Sequence, residues 1–174
     1  MRTAKKLTLS AIVVALGAVL MSLGAFVEVL DLTTCCLASL FVMFIYIEIG
    51  SPYTWLVWLC TALAVFLISP GKLVWGEYLA LFGIYPLVKA YIERLRRSLW
   101  LPLKALFFAA VIGGAYACFE LLLGVPFFET DALWMKVGAT VLMAVAACAY
   151  DMFLTVLIRF YIFKLRPRIK NLLK

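Results

Sequence analysis

The chain has 174 residues, 67% of them hydrophobic, with a mean hydropathy of +1.12 and a net charge of +7. A soluble domain is about 45–50% apolar, so lipid rather than water is the expected solvent for most of this surface. Histidine is absent, which removes the commonest metal ligand and the commonest general base near neutral pH.

The positive charges fall in three clusters: Arg2, Lys5 and Lys6; Lys89, Arg94, Arg96, Arg97 and Lys104; and Arg159, Lys164, Arg166, Arg168, Lys170 and Lys174. Only Lys72 and Lys136 lie elsewhere. Pairs of apolar stretches separate the clusters, each roughly long enough to cross the ~30 Å hydrocarbon core. Positive charge is retained on the cytoplasmic side. The pattern therefore predicts an all-α polytopic bundle of six transmembrane helices, one domain over 1–174, with both termini cytoplasmic. Charges that abut membrane segments are explained by topology and by anionic lipid headgroups, not by nucleic acid.

The first helix is expected from Leu7 to Val29, leaving at the acidic turn Glu28–Asp31. Its apolar run exceeds the 7–15 residues of a signal-peptide core, so a retained helix is expected. The second runs from Leu32 to Ile49 and stops at Gly50-Ser51-Pro52, a strong turn signal. The third runs from Tyr53 to Ile68 and stops at Ser69-Pro70-Gly71. The fourth, Leu73 to Ile92, carries Glu77, Gly83, Pro86 and Lys89, and Pro86 is expected to kink it. The fifth extends from Leu99 to Gly124-Val125-Pro126. The sixth, Ala132 to Phe163, is longer than a perpendicular crossing needs and is expected to tilt or project. No internal repeat, linker or low-complexity segment is evident.

Polar residues inside apolar spans are expensive and point into the protein. Asp151, well inside the sixth helix, reads either as a structural carboxylate paired to Lys89 or hydrogen-bonded to a Tyr, or as a proton- or ligand-linked group. Glu48, Tyr85, Lys89, Glu93 and Asp151 are expected to form a polar cluster toward the inner leaflet, as a folding staple or a contact for a cytoplasmic partner. Toward the outer side, Glu28, Asp31, Trp75, Glu77, Tyr78, Tyr116, Glu120 and Trp134 could line a pocket. Aromatic rings with a few carboxylates suit a cationic or amine-bearing ligand. The alternative is an ordinary interfacial aromatic belt.

Small residues mark close helix contacts: Ala11, Ala15 and Ala18 on the first helix, Gly113, Gly114 and Ala117 on the fifth, and Ala139, Ala144, Ala147 and Cys148 on the sixth. Cys35, Cys36, Cys60, Cys118 and Cys148 show no CxxC spacing and read as buried free thiols acting as small hydrophobes. No nucleophile–base pair, nucleotide loop or metal-binding spacing appears. No catalytic residue, metal or cofactor is assigned, and the chain is not expected to be an enzyme.

A basic N-terminus leading into KKLTLSAIVVALGAVL, with Ala11 and Ala15 in an AxxxA spacing, resembles the substrate-binding S components of energy-coupling factor (ECF) transporters, the bacterial vitamin and trace-nutrient importers. Helix number, length and orientation extend the resemblance to the whole chain. It implies capture of a small nutrient at the outer face and contact through Ala11 and Ala15 with a separate transmembrane coupling subunit. Two cytoplasmic ATPases would drive toppling and release. Ligand residues vary among S components, so none is carried over. An assembly subunit of an envelope complex, comparable to bacterial cell-shape proteins and docking partners on its cytoplasmic side, is the alternative. A third is a lone proton-coupled carrier with Asp151 as the titrating group.

Overall fold

A computed structural model describes residues 3–118 and 133–167, and among these it is helical with no strand. Five helical stretches are long and apolar enough to cross a membrane by length and composition: Thr3–Phe26, Asp31–Glu48, Ser51–Ile68, Arg97–Ala117 and Trp134–Lys164. A multi-pass membrane protein fits these elements. Leu23, Leu101, Leu106, Leu142, Val145 and Val156 are each at least 60% exposed, and a water-soluble monomer rarely leaves contiguous apolar surface on this scale uncovered. The chain divides into two compact units, Met1–Ser98 and Leu99–Lys174.

In the first unit, α1 (Thr3–Phe26), α2 (Asp31–Glu48) and α3 (Ser51–Ile68) pack on one another, with α1 against both of the others. The first helix stops three residues short of the expected Val29, and a 3₁₀ turn, Glu28–Leu30, carries the chain into α2. Between α2 and α3, Gly50 adopts φ of 105°, a backbone region that only glycine enters cheaply. The third helix begins at Ser51 rather than Tyr53, because Pro52 sits in its first turn, where its missing N–H leaves no bond unmade.

Close approach of α1 depends on two glycines. A Cβ on Gly17 would stand 3.1 Å from Thr61 Cγ2, and a Cβ on Gly24 would overlap the Thr34 side chain. Val13, Ile45 and Val57 are buried together, with Leu9, Phe41, Phe44 and Tyr53 packed around them.

The expected fourth helix is not continuous. It divides into α4 (Val74–Glu77), a π-helical turn Tyr78–Phe82 and α5 (Tyr85–Ile92). Pro86 does not kink a helix; it lies in the first turn of a new one. The break comes earlier, where Gly83 N–H donates to the Tyr78 carbonyl at 2.7 Å and the Trp58 ring lies directly against Gly83. A side chain at residue 83 would displace that indole.

The second unit consists of α6 (Trp100–Ala117), α7 (Leu133–Phe160) and a π-helical turn, Tyr161–Leu165. No residue of α6 is buried. The 28 residues of α7 extend about 42 Å at 1.5 Å per residue, more than the ~30 Å core. The expected end of the fifth helix at Gly124-Val125-Pro126, the start of the sixth at Ala132, and Glu120, Glu129 and Asp131 lie outside the described residues.

Candidate functional site

Two acidic residues meet at the Asp31 end of α2. Asp31 opens α2 and Glu77 closes the four-residue α4. One turn after Asp31, buried Cys35 directs its Sγ at the Val74 carbonyl, 3.7 Å away, which ties α4 to α2. The carboxylates of Asp31 and Glu77 are near enough to act on each other electrostatically, and both act on Cys35. Asp31 Oδ1 and Glu77 Oε2 are each enclosed and have no hydrogen-bond partner among the described residues. An enclosed acceptor without a donor costs about 1–3 kcal/mol, more when charged. A cation or an N–H donor brought to either oxygen would relieve it.

The surrounding aromatics divide into two roles. Trp75 packs edge-on against Phe66, with centroids 5.0 Å apart and rings at 72°, and remains half-exposed. Tyr78 is fully buried and hydrogen-bonded to Thr61, so its hydroxyl is committed to the packing of this unit rather than presented to a ligand. Asp31, Trp75, Glu77 and Tyr78 thus share the first unit. Tyr116 and Trp134 belong to the second unit, with exposures of 39% and 75%. Glu120 lies outside the described residues, as does the side chain of Glu28. Sequence reasoning missed Cys35 and Val74, although the four-residue spacing from Asp31 to Cys35 places them on one helix face.

The polar group at the other end of this unit is satisfied internally. Lys89 is 1% exposed, and its Nζ lies 3.1 Å from Glu93 Oε1. Tyr85 is buried one turn before it. Arg94 donates to the Tyr46 hydroxyl at 2.6 Å and lies 5.5 Å from the Tyr91 ring centroid. Tyr91 in turn shares a 2.9 Å hydrogen bond with Ser51. Glu48, at the end of α2, is half-exposed and engaged in an interaction.

Within the second unit Asp151 has an ion-pair partner on the neighbouring helix. Lys104 Nζ donates to both of its carboxylate oxygens, each at 2.9 Å, and the two side chains are only 15% and 22% exposed. Lys104 enters the apolar part of α6 a turn after Trp100, on the element that precedes α7. A charge inside an apolar span takes the nearest opposite charge.

On α1, Ala11 and Ala15 are exposed, whereas Ala18 is buried at 5%. Ala18 shares the buried face of α1 with Gly17 and Met21. Only Cys35 is buried among the thiols; Cys36 is half-buried, and Cys60, Cys118 and Cys148 are exposed. Among the described residues no three Cys, Asp or Glu side chains gather as a metal ion would need. No family model, curated protein or solved structure matches the chain.

Proposed function

We propose that the chain is a substrate-binding membrane subunit of the S-component type, held in the bacterial cytoplasmic membrane with both termini inside and performing no chemistry itself. The ligand is a small nutrient carrying a cationic or amine group, and Asp31 and Glu77 receive it. One observation carries this reading: two neighbouring carboxylates each keep an enclosed oxygen without a donor among the described residues. An ammonium supplies three donors and a compensating charge. The half-exposed Trp75 ring offers a face for the same cation.

In this reading the segmented stretch Val74–Ile92 supplies the sixth crossing. Its nineteen residues extend about 28 Å at helical rise. The exposed pair Ala11 and Ala15 meets a transmembrane coupling subunit, and paired cytoplasmic ATPases provide the energy. The packed Val13, Ile45 and Val57 core and the internally satisfied Lys89–Glu93 pair favour a second reading. There the chain is an assembly subunit of an envelope complex, docking partners on the cytoplasmic side.

Purification from native membranes in mild detergent, with mass spectrometry of co-eluting proteins and metabolites, separates the two. The importer reading expects a coupling protein, paired ATPases and an amine-bearing metabolite that Asp31→Asn and Glu77→Gln both release. Envelope-assembly proteins without ATPases, or a metabolite retained equally by both variants, would overturn it.

A further inference from the structure

A second site lies wholly within the Leu99–Lys174 unit and is independent of the Asp31–Glu77 reading. Between α6 and α7 runs a groove of about 670 Å³, within the roughly 300–1,000 Å³ of small-molecule sites. Phe108, Ala109 and Ile112 form one wall; Ala144, Ala147 and Met152 form the other. From Leu101 to Gly113 the α6 wall extends about 18 Å at 1.5 Å per residue. One leaflet of the hydrocarbon core is about 15 Å deep. The groove therefore has the length of a single hydrocarbon chain lying along the helices.

Its polar content is concentrated. The lining hydroxyl of Thr140 donates within its own helix, to the Lys136 carbonyl at 2.8 Å. The charged lining groups are Lys104 and Asp151, at the end opposite Gly113 and Thr140. A site of this kind, apolar along its length with a few convergent polar atoms, is the usual form of a ligand site between helices.

The ion pair also selects the head of the occupant. Lys104 and Asp151 already cancel each other's charge. A carboxylate or ammonium head beside them would leave a net charge inside the apolar span, where one charged side chain costs about 2.5–3.5 kcal/mol. A hydroxyl donates to the carboxylate, accepts from the ammonium and leaves the site neutral. We propose that the groove binds a single-chain, uncharged amphiphile of the long-chain alcohol class. Its hydroxyl sits on Lys104–Asp151 and its tail lies between Phe108, Ile112 and Ala144.

The test uses the full chain in phosphatidylcholine nanodiscs and a long-chain alkanol carrying a mid-chain diazirine, with labelled positions read by peptide mass spectrometry. Labelling is expected at Phe108, Ile112 or Ala144. Unlabelled alkanol should chase it at concentrations at least about tenfold below those needed by the alkanoic acid or alkylamine of equal length, a difference of 1.4 kcal/mol. Filling the groove with Ala109→Phe and Ala144→Phe should abolish the chaseable label. The double variant Lys104→Met/Asp151→Leu keeps the end of the groove neutral. It should retain tail labelling and lose the preference for alcohol over acid. Label spread evenly onto Leu106, Val145 and Val156 with no chase would reduce the groove to ordinary lipid contact and overturn the proposal. Efficient disulfide cross-linking of two copies through Cys148, with alkanol labelling absent, would overturn it in favour of a second chain as occupant.

Discussion

Replacing Lys104 by Met removes one member of a two-point ion pair and takes from Asp151, in an apolar span, the ammonium that donates to both of its oxygens. Removing one partner of a fully buried pair costs about 3–5 kcal/mol. The 15% and 22% exposures of the two side chains place this pair somewhat below full burial, so a loss near the lower end, about 3 kcal/mol, is expected. Asp151→Leu should cost a similar amount, because it strands the ammonium instead. The double variant strands neither charge. Apolar replacements of a buried pair are often neutral or stabilising, so Lys104→Met/Asp151→Leu should unfold within about 1 kcal/mol of the parent. That cycle gives a coupling of about 5–7 kcal/mol. Lys104 Nζ lies 6.0 Å from the Trp100 ring centroid, so indole fluorescence during denaturant titration in mixed micelles reports on the same unit. Additive single effects, with the double variant losing about 6 kcal/mol, would refute the reasoning and show that each side chain is held by something other than its partner.

Two further substitutions probe the first unit. Gly24→Ala places a Cβ against Thr34 and should destabilise the protein by about 1–3 kcal/mol, the usual range for overpacking; a thermal melt reads it, and adding Thr34→Gly should recover part of the loss. Arg94→Lys keeps the charge but loses the planar stack on Tyr91 and alters the donor to the Tyr46 hydroxyl, so a drop of about 0.5–1 kcal/mol is expected, with Tyr46→Phe giving a comparable shift in the same melt.

The first three helices were legible because their signals are local. Unbroken apolar runs mark all three, and Gly50-Ser51-Pro52 and Ser69-Pro70-Gly71 fix the ends of the second and third within a residue. Proline position was legible too, but its consequence at residue 86 was not. Whether a proline kinks a helix or starts one depends on what precedes it, and here a tryptophan from α3 packed on Gly83 makes that choice. No property of residues 78–92 alone contains that contact. Asp151 shows the same limit from the electrostatic side. Composition does not point to Lys104 as a partner, and its bonds to both carboxylate oxygens follow from the adjacency of α6 and α7 within one unit. Gly17 and Gly24, seven residues apart and therefore on one helical face, carried a readable signal of close packing. Attention to the AxxxA spacing of Ala11 and Ala15 passed over it.

At the Asp31 and Glu77 carboxylates, residue type was readable and grouping was only partly so. Asp31 and Glu77 could be placed at similar depth from the turns that flank them. That Tyr78 would turn inward to Thr61 while Trp75 stayed half-exposed could not, since it depends on how α4 and the π-helical turn pack against α3.

The division of Val74–Ile92 into pieces of four, five and eight residues bears on the order in which the protein is made. Isolated helices shorter than about 12–15 residues are marginal, so none of these pieces holds its shape before α2 and α3 are in place to receive it. As the nascent chain emerges, the α1–α3 hairpins can settle early, while the stretch that carries Glu77 and Lys89 must wait for Cys35 to meet Val74 and for Trp58 to cover Gly83. A ribosome-bound chain long enough for Ser69 to have cleared the exit tunnel should therefore already hold its three helices, and the carboxylate pair comes into being only as the last step of assembling this unit.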